Sequence, residues 1–305
     1  MPPKLTESEK KEIEKALIEE CYFYLKDEEL NTDSMKWTIK AEAFLRYETC
    51  SQYIVPWIER YIDLENANIV EIGCGTGSLT VALAQSAHHV YAYDIQYTSI
   101  NMTMRRARIM NLTNVTCYLK ETNELLNAVY KNNISGIDVV VLYAVLEHMN
   151  LEQRLETLRV CWQVLKPYGI MVVGDTPNRL QYWDTHTSQL PFFNMLPDDL
   201  ALIYYTKSPR DDFKNAIKGA LLQSKTKALA ELSKWGRGVS YHEFELAIGD
   251  INDFVVGDGF DKEILCHQLL EPEENALKDF VVRNNLDIPL AFTRNTISVI
   301  LQKKI

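Results

Sequence analysis

The run Val70-Glu71-Ile72-Gly73-Cys74-Gly75-Thr76-Gly77 sets the architecture of this chain. Asn68 to Ile72 reads as a short strand. Glycines then stand at alternate positions, where the missing β-carbons permit a sharp turn and let a ligand lie against the backbone. A helix read over Ser78 to Ser86 would open with unbonded N–H groups beside that turn. The next strand, His89 to Asp94, closes a βαβ unit and ends in a carboxylate 17 residues after Gly77. A carboxylate there can accept hydrogen bonds from both hydroxyls of a ribose. The spacing is G-x-G-x-G. The dinucleotide fingerprint places its third glycine one residue later, where strand and helix pack closely, so a nicotinamide oxidoreductase is a distant alternative.

Outward from this unit the alternation continues. A helix near Thr98 to Met110 precedes a strand at Val115 to Leu119, and a helix near Glu124 to Tyr130 precedes a strand at Ile137 to Leu142. A helix at Leu151 to Leu165 then leads to a strand at Ile170 to Gly174. Short apolar strands separated by helices predict an α/β fold, a doubly wound and mostly parallel sheet covered on both faces. Before it, Thr6 and Glu9 form a capping box for an amphipathic helix over residues 7 to 26, and a second helix spans Trp37 to Tyr61. After Asp175 the pattern turns aromatic and helical, which reads as an inserted cap. Strand patterns return at Phe260 to Leu270 and Thr296 to Gln302. The expected organisation is an N-terminal helical segment (1–62), a Rossmann-like core (63–177), a helical substrate cap (178–258) and closing antiparallel strands (259–305).

The 305 residues carry 32 Lys+Arg against 42 Asp+Glu, a net charge of −10, with 47% hydrophobic residues. That excludes disordered and collagen-like classes and leaves enough chain for a core and a pocket. The acidic balance disfavours a nucleic-acid partner, since each phosphate contact needs a cation. No apolar leader or membrane-length run is present, so a soluble, cytoplasmic protein is expected. The scattered cysteines read as reduced thiols, and Arg105, Arg106 and Arg108 as a solvated helix face.

Taken in order, Glu71-Ile-Gly-Cys-Gly-Thr-Gly77, the acidic end of the second strand, Ile137-Asp-Val-Val-Val-Leu-Tyr-Ala-Val-Leu-Glu-His148 and Leu165-Lys-Pro-Tyr-Gly-Ile-Met-Val-Val173 resemble the class I S-adenosylmethionine (SAM) dependent methyltransferases. The resemblance covers roughly residues 65 to 175. It implies a seven-stranded Rossmann-like sheet with SAM as cofactor. It also implies that Gly73, Cys74, Gly75 and Gly77 shape the loop under the methionine moiety and that Glu71 organises that loop. Asp94 would hold the ribose, Ile95 would pack on the adenine, and Glu121 would stand near the adenine amino group.

Methyl transfer from a sulfonium needs alignment in a dry site more than elaborate side-chain chemistry, but a hydroxyl acceptor needs help losing its proton. His148, His186 and His242 are available bases, and Glu147-His148 follows the fourth strand at the ligand-binding edge of the sheet. A similar segment, E-x-x-E-H, binds a divalent ion in ubiquinone-pathway and small-RNA 2′-O-methyltransferases. Here Ala144 replaces the first acid, so no metal is expected. In this fold the loop after the fifth strand faces the methyl group, which makes Arg179, Asp184, His186 and Thr187 expected acceptor contacts, with Trp183, Phe192 and Phe193 as the cap's own core. Ser240 and Glu243 read as a capping box, which makes His242 structural. The expected activity is O-methylation of a small or sugar-like hydroxyl compound. The alternatives are an RNA 2′-O-methyltransferase and a non-catalytic SAM-binding partner subunit.

Overall fold

A computed structural model describes residues 5–120, 124 and 136–304. Glu121 and, Glu124 apart, the helix expected near Glu124 to Tyr130 lie outside them. Thr6 and Glu9 exchange hydrogen bonds across the first turn of α1 (Glu7–Cys21), the reciprocal cap expected there. The helix α2 runs over 33–59 but is not uniform. Its α-helical parts Asp33–Lys40, Arg46–Thr49 and Val55–Glu59 are separated by π-turns at Ala41–Leu45 and Cys50–Ile54.

The core then alternates as β1 (Asn68–Ile72), α3 (Ser78–Ala84), β2 (His89–Asp94), α4 (Tyr97–Ile109), β3 (Val115–Leu119), β4 (Ile137–Tyr143), α5 (Leu151–Val164) and β5 (Leu165–Pro177). With β6 (Val255–Asp258) and β7 (Thr296–Gln302), the sheet has seven strands in the order β3-β2-β1-β4-β5-β7-β6. Strands β1 to β5 are parallel, and β7 runs antiparallel to both neighbours. The order reverses between β1 and β4, and open sheets of this kind bind ligands at the strand ends beside such a reversal. Val139, Val140, Val141 and Leu142 are all fully buried, as a strand covered on both faces requires. One face packs on α2 and α3, the other on α5 and the segment after the cap.

Between β5 and β6 lie α6 (Asp198–Tyr204), α7 (Asp211–Leu221), α8 (Lys225–Trp235) and α9 (Tyr241–Ile248). The first three enclose their own apolar core around Phe193 and Phe213. Trp183 and Phe192, expected in that core, are 45% and 48% exposed. Among the described residues, no helix is long and apolar enough to cross a membrane.

Two expectations are corrected. Strand β6 is Val255–Asp258, and Phe260 to Leu270 contains a helical turn, Lys262–Leu265, in place of a strand. The cause is Asp261. Its carboxylate accepts from Trp57 Nε1 at 2.8 Å and Tyr61 Oη at 2.7 Å, which pulls the chain back onto α2 and ends the strand early. The chain thus re-enters the sheet at Val255. Arg106 is also no surface residue. It is fully buried, and its guanidinium donates to Thr76 O, Ala43 O and Glu42 O at 2.8–2.9 Å. Two of those carbonyls belong to the first π-turn of α2, so one side chain ties that turn to the glycine loop.

Candidate active site

The glycine loop leaves β1 at the reversal point. Gly73 N–H donates to Tyr93 O at 2.8 Å, and Gly75 N–H donates to Asp94 Oδ2 at 2.9 Å. Asp94 Oδ1 also accepts from Gln96 N–H at 2.8 Å, so this carboxylate is aimed by backbone on both sides while only half buried. Gly77, at φ 80°, starts α3, and a Cβ there would stand 2.9 Å from the Thr103 backbone. Glu71 lies beneath the loop, where Thr80 Oγ1 donates to it at 2.6 Å and burial pushes its carboxyl up to about 8. Cys74 is buried with Ala92 and Ile100, and burial holds its thiol well above the usual range, as suits a filler. Ile95 is 71% exposed at the mouth of the loop. The structure thus ties Asp94 to the glycine loop by hydrogen bonds and buries Glu71 and Cys74 close to it.

The tip of β4 adjoins this loop, since a Cβ on Gly73 would meet Val145 Cγ2 at 2.5 Å. Two residues on, Glu147 is 1% exposed, and among the described residues neither of its carboxyl oxygens has a hydrogen-bond partner. Burial raises it to about 8. Its Oε1 lies 3.8 Å from His148 Nε2. The rings of His148 and His186 are 5.2 Å apart, and one ligand-capable atom each from Glu147, His148 and His186 falls within 4.8 Å of the others. His148 Nδ1 lies 2.8 Å from the Lys234 carbonyl, which can only accept, so Nδ1 carries the proton and Nε2 keeps its lone pair. Thr187 Oγ1 shares its one proton between the carbonyls of Trp235 and Gly236, which leaves it to accept from His186 Nδ1 at 3.1 Å. His186 Nε2 is therefore also unprotonated. Burial lowers both imidazoles from 6.5, so both are neutral at pH 7. They line a cleft of about 360 Å³ with Arg210, Glu231, Lys234 and Trp235. The two unprotonated nitrogens can take up a proton, and together with the carboxyl they form a donor set that also fits a divalent cation.

The remaining expected contacts are placed differently. Asp184 is fully buried and accepts from Thr187 N–H, Ser188 N–H and Ser188 Oγ, so its carboxylate braces its own loop. Thr187 is 1% exposed, with its hydroxyl spent on the cap carbonyls. Arg179 is half-buried, and among the described residues its guanidinium has no ion pair. His242 is exposed and packs on Tyr241, while Ser240 and Glu243 make the expected capping box.

Sequence reading passed over Arg154. It is 3% exposed and donates to the carbonyls of Leu146, Glu147, Met149, Arg237 and Gly238, and to the Glu243 carboxylate. Arg237 N–H in turn donates to Glu147 O at 2.9 Å. These bonds fix the backbone of the Glu147-His148 turn against the cap. The nearest sequence signal was an arginine among the otherwise inward positions of α5.

Residues 63–233 match a family described as "Methyltransferase domain", so the chain belongs to the SAM-dependent methyltransferases of class I. Among curated proteins it is 31% identical over 112 residues to an uncharacterized RNA methyltransferase of Listeria innocua, covering 37% of this chain and 23% of that one. It is 25% identical over 152 residues to a ubiquinone biosynthesis O-methyltransferase of Nitrosospira multiformis, covering 50% of this chain and 60% of the other. A solved SAM-dependent methyltransferase from Clostridium acetobutylicum superposes with TM-score 0.40 at 14% identity, over 52% of this chain and 63% of that one. The chain thus spans between 23% and 60% of the length of these curated relatives.

Proposed function

We propose that this enzyme methylates a hydroxyl group of a small, sugar-like acceptor. The observation that carries the reading is the pairing of two neutral imidazoles, each with a free Nε2, at the turn that follows β4, the strand whose next residue but one, Val145, adjoins Gly73. When bound, SAM supplies a methyl group on a sulfonium. That methyl would pass to the acceptor oxygen, leaving S-adenosylhomocysteine, and His148 or His186 would take up the proton that the hydroxyl gives up. Asp94, held by hydrogen bonds from Gly75 and Gln96, would accept from the ribose hydroxyls. Glu147, uncharged near neutral pH, avoids placing a second anion beside the reacting oxygen. A net charge of −10 argues against an RNA acceptor, and six free thiols suit the reducing cytoplasm.

Turnover should report these roles. His148→Gln is expected to lower kcat about a hundredfold while SAM affinity stays within about twofold. Because burial lowers both imidazoles, the base form persists at pH 7, and kcat/KM should fall only below the ordinary imidazole value of 6.5. Methyl transfer to a panel of hydroxyl, amine and carbon acceptors decides the chemistry, and turnover of amines or carbon acids alone would overturn the O-methyl reading. Chelation with EDTA is expected to leave the rate unchanged. Loss that manganese restores would reassign Glu147, His148 and His186 as metal ligands. Binding of short RNA at low salt would favour the nucleic-acid alternative, and tight SAM binding without transfer to any acceptor would favour a non-catalytic subunit.

A further inference from the structure

Two left-handed residues stand side by side on adjacent strands: Ala144, just past the end of β4, at φ 51°, and Asp175, at the bulge where β5 shifts register against β7 between Val173 and Thr176, at φ 52°. Neither is glycine. Such backbone is costly for a residue bearing a Cβ and persists where its surroundings over-determine it, often at ligand sites. Ala144 N–H donates to Gly174 O at 2.9 Å, which holds the two residues together. Since Val145 packs against Gly73, Asp175 stands one strand away from the cofactor loop.

Asp175 is solvent-exposed, and the protein around it raises its carboxyl above the ordinary range against the pull of Arg46. Gln268 Nε2 donates to Asp175 Oδ1 at 3.3 Å. Next to it His267 stacks on Tyr53, with ring centres 5.3 Å apart and planes 26° from parallel. Tyr53 lies on the second π-turn of α2, and such turns recur at functional sites. Among the described residues, His267 Nε2 and Gln268 Oε1 are buried without a hydrogen-bond partner, as are the Glu147 oxygens at the neighbouring tip. Buried polar atoms are normally satisfied. Segments far apart in sequence thus converge on the strand tips, and Asp175, Glu147 and Gln268 Oε1 all offer lone pairs.

We infer that Asp175, Gln268 and His267, walled by Tyr53, form the acceptor-binding subsite, and that it takes a donor-rich polyol or amino sugar rather than an anion. The assignment rests on the hydroxyl-acceptor reading for its chemistry, but binding can be read without transfer. The test titrates the full-length protein, saturated with S-adenosylhomocysteine, with glucosamine, myo-inositol and gluconate. Glucosamine or inositol is expected to bind at least about tenfold tighter than gluconate. Gln268→Met removes the unpaired oxygen, and Asp175→Asn keeps a residue that tolerates positive φ. Each is expected to weaken that binding at least about tenfold, with S-adenosylhomocysteine affinity unchanged as the check on folding. His267→Phe keeps the stack on Tyr53 and is expected to weaken the polyol in the same way. Preference for gluconate, no binding of either polyol, or polyol binding indifferent to all three substitutions overturns the subsite. Methyl transfer to a hydroxyl that ignores these variants overturns the subsite and spares the O-methyl reading. Variant-sensitive binding without any transfer does the reverse.

Discussion

Arg154→Met is expected to cost about 3–5 kcal/mol of folding stability, the range seen when one partner of a buried ion pair is removed. Arg154 and Glu243 lie 3.3 Å apart with side chains only 4% and 7% exposed. Glu243 would keep its bond from Ser240 N–H at 3.1 Å but lose its counter-charge. The five carbonyls that Arg154 serves would also lose a donor, and each buried acceptor left unpaired carries its own penalty of about 1–3 kcal/mol. Relaxation of the cap keeps the total below the sum. Arg154→Lys keeps the charge but not the planar fork, so it should recover only a fraction of the loss. Urea denaturation with and without S-adenosylhomocysteine measures both variants. Because Leu146, Glu147 and Met149 carbonyls are held by this one side chain, turnover should fall further than cofactor affinity. A loss below about 1 kcal/mol, the typical effect of an ordinary substitution, would show that the turn is held by other means.

The cofactor half was readable because its signals are local. Glycine spacing, an acid at a strand end and apolar strand runs each act within a few residues, and strands β1 to β4 fall within a residue of their expected limits. What failed depends on partners distant in sequence. Arg106 has the spacing of a solvated helix face, and the carbonyls that make its burial tolerable lie 30, 63 and 64 residues earlier in the chain. Burial lowers its guanidinium to about 10, so the charge survives at pH 7. Strand β6 lies before the expected stretch because Asp261, held by Trp57 and Tyr61, turns the chain back just past Asp258, and those partners are 204 and 200 residues away in sequence. Asp184 and Thr187 drew attention as polar residues in a functional loop, yet short polar side chains commonly serve neighbouring backbone, as these do. Asp175 carried no motif, and its left-handed backbone is visible only in three dimensions.

Gly73→Val is expected to lower S-adenosylhomocysteine affinity by more than about a thousandfold, roughly 4 kcal/mol. Gly73 sits at φ 75°, a region that a β-branched residue enters only with strain. Strain alone, about 1–3 kcal/mol, would be insufficient. The added cost is steric, because the first carbon of any side chain would lie 2.5 Å from Val145 Cγ2. The loop has little room to yield, since Gly73 and Cys74 N–H groups both donate to Tyr93 O and Gly75 N–H is fixed by Asp94. Val145 has little more, because the chain on either side is tied by Ala144 to Gly174 and by Arg154 to the cap. Gly75→Ala separates the two causes. Gly75 has φ 52° but nothing within 4 Å of its missing Cβ, so that variant tests backbone strain without the clash. It should fold like the parent, and any loss of affinity beyond the strain then measures ligand lying against that position. Calorimetric titration of both variants, with thermal melts as the control, reads the difference. If Gly73→Val folded and bound within about tenfold of the parent, the Val145 contact would not be what keeps loop and strand tip together.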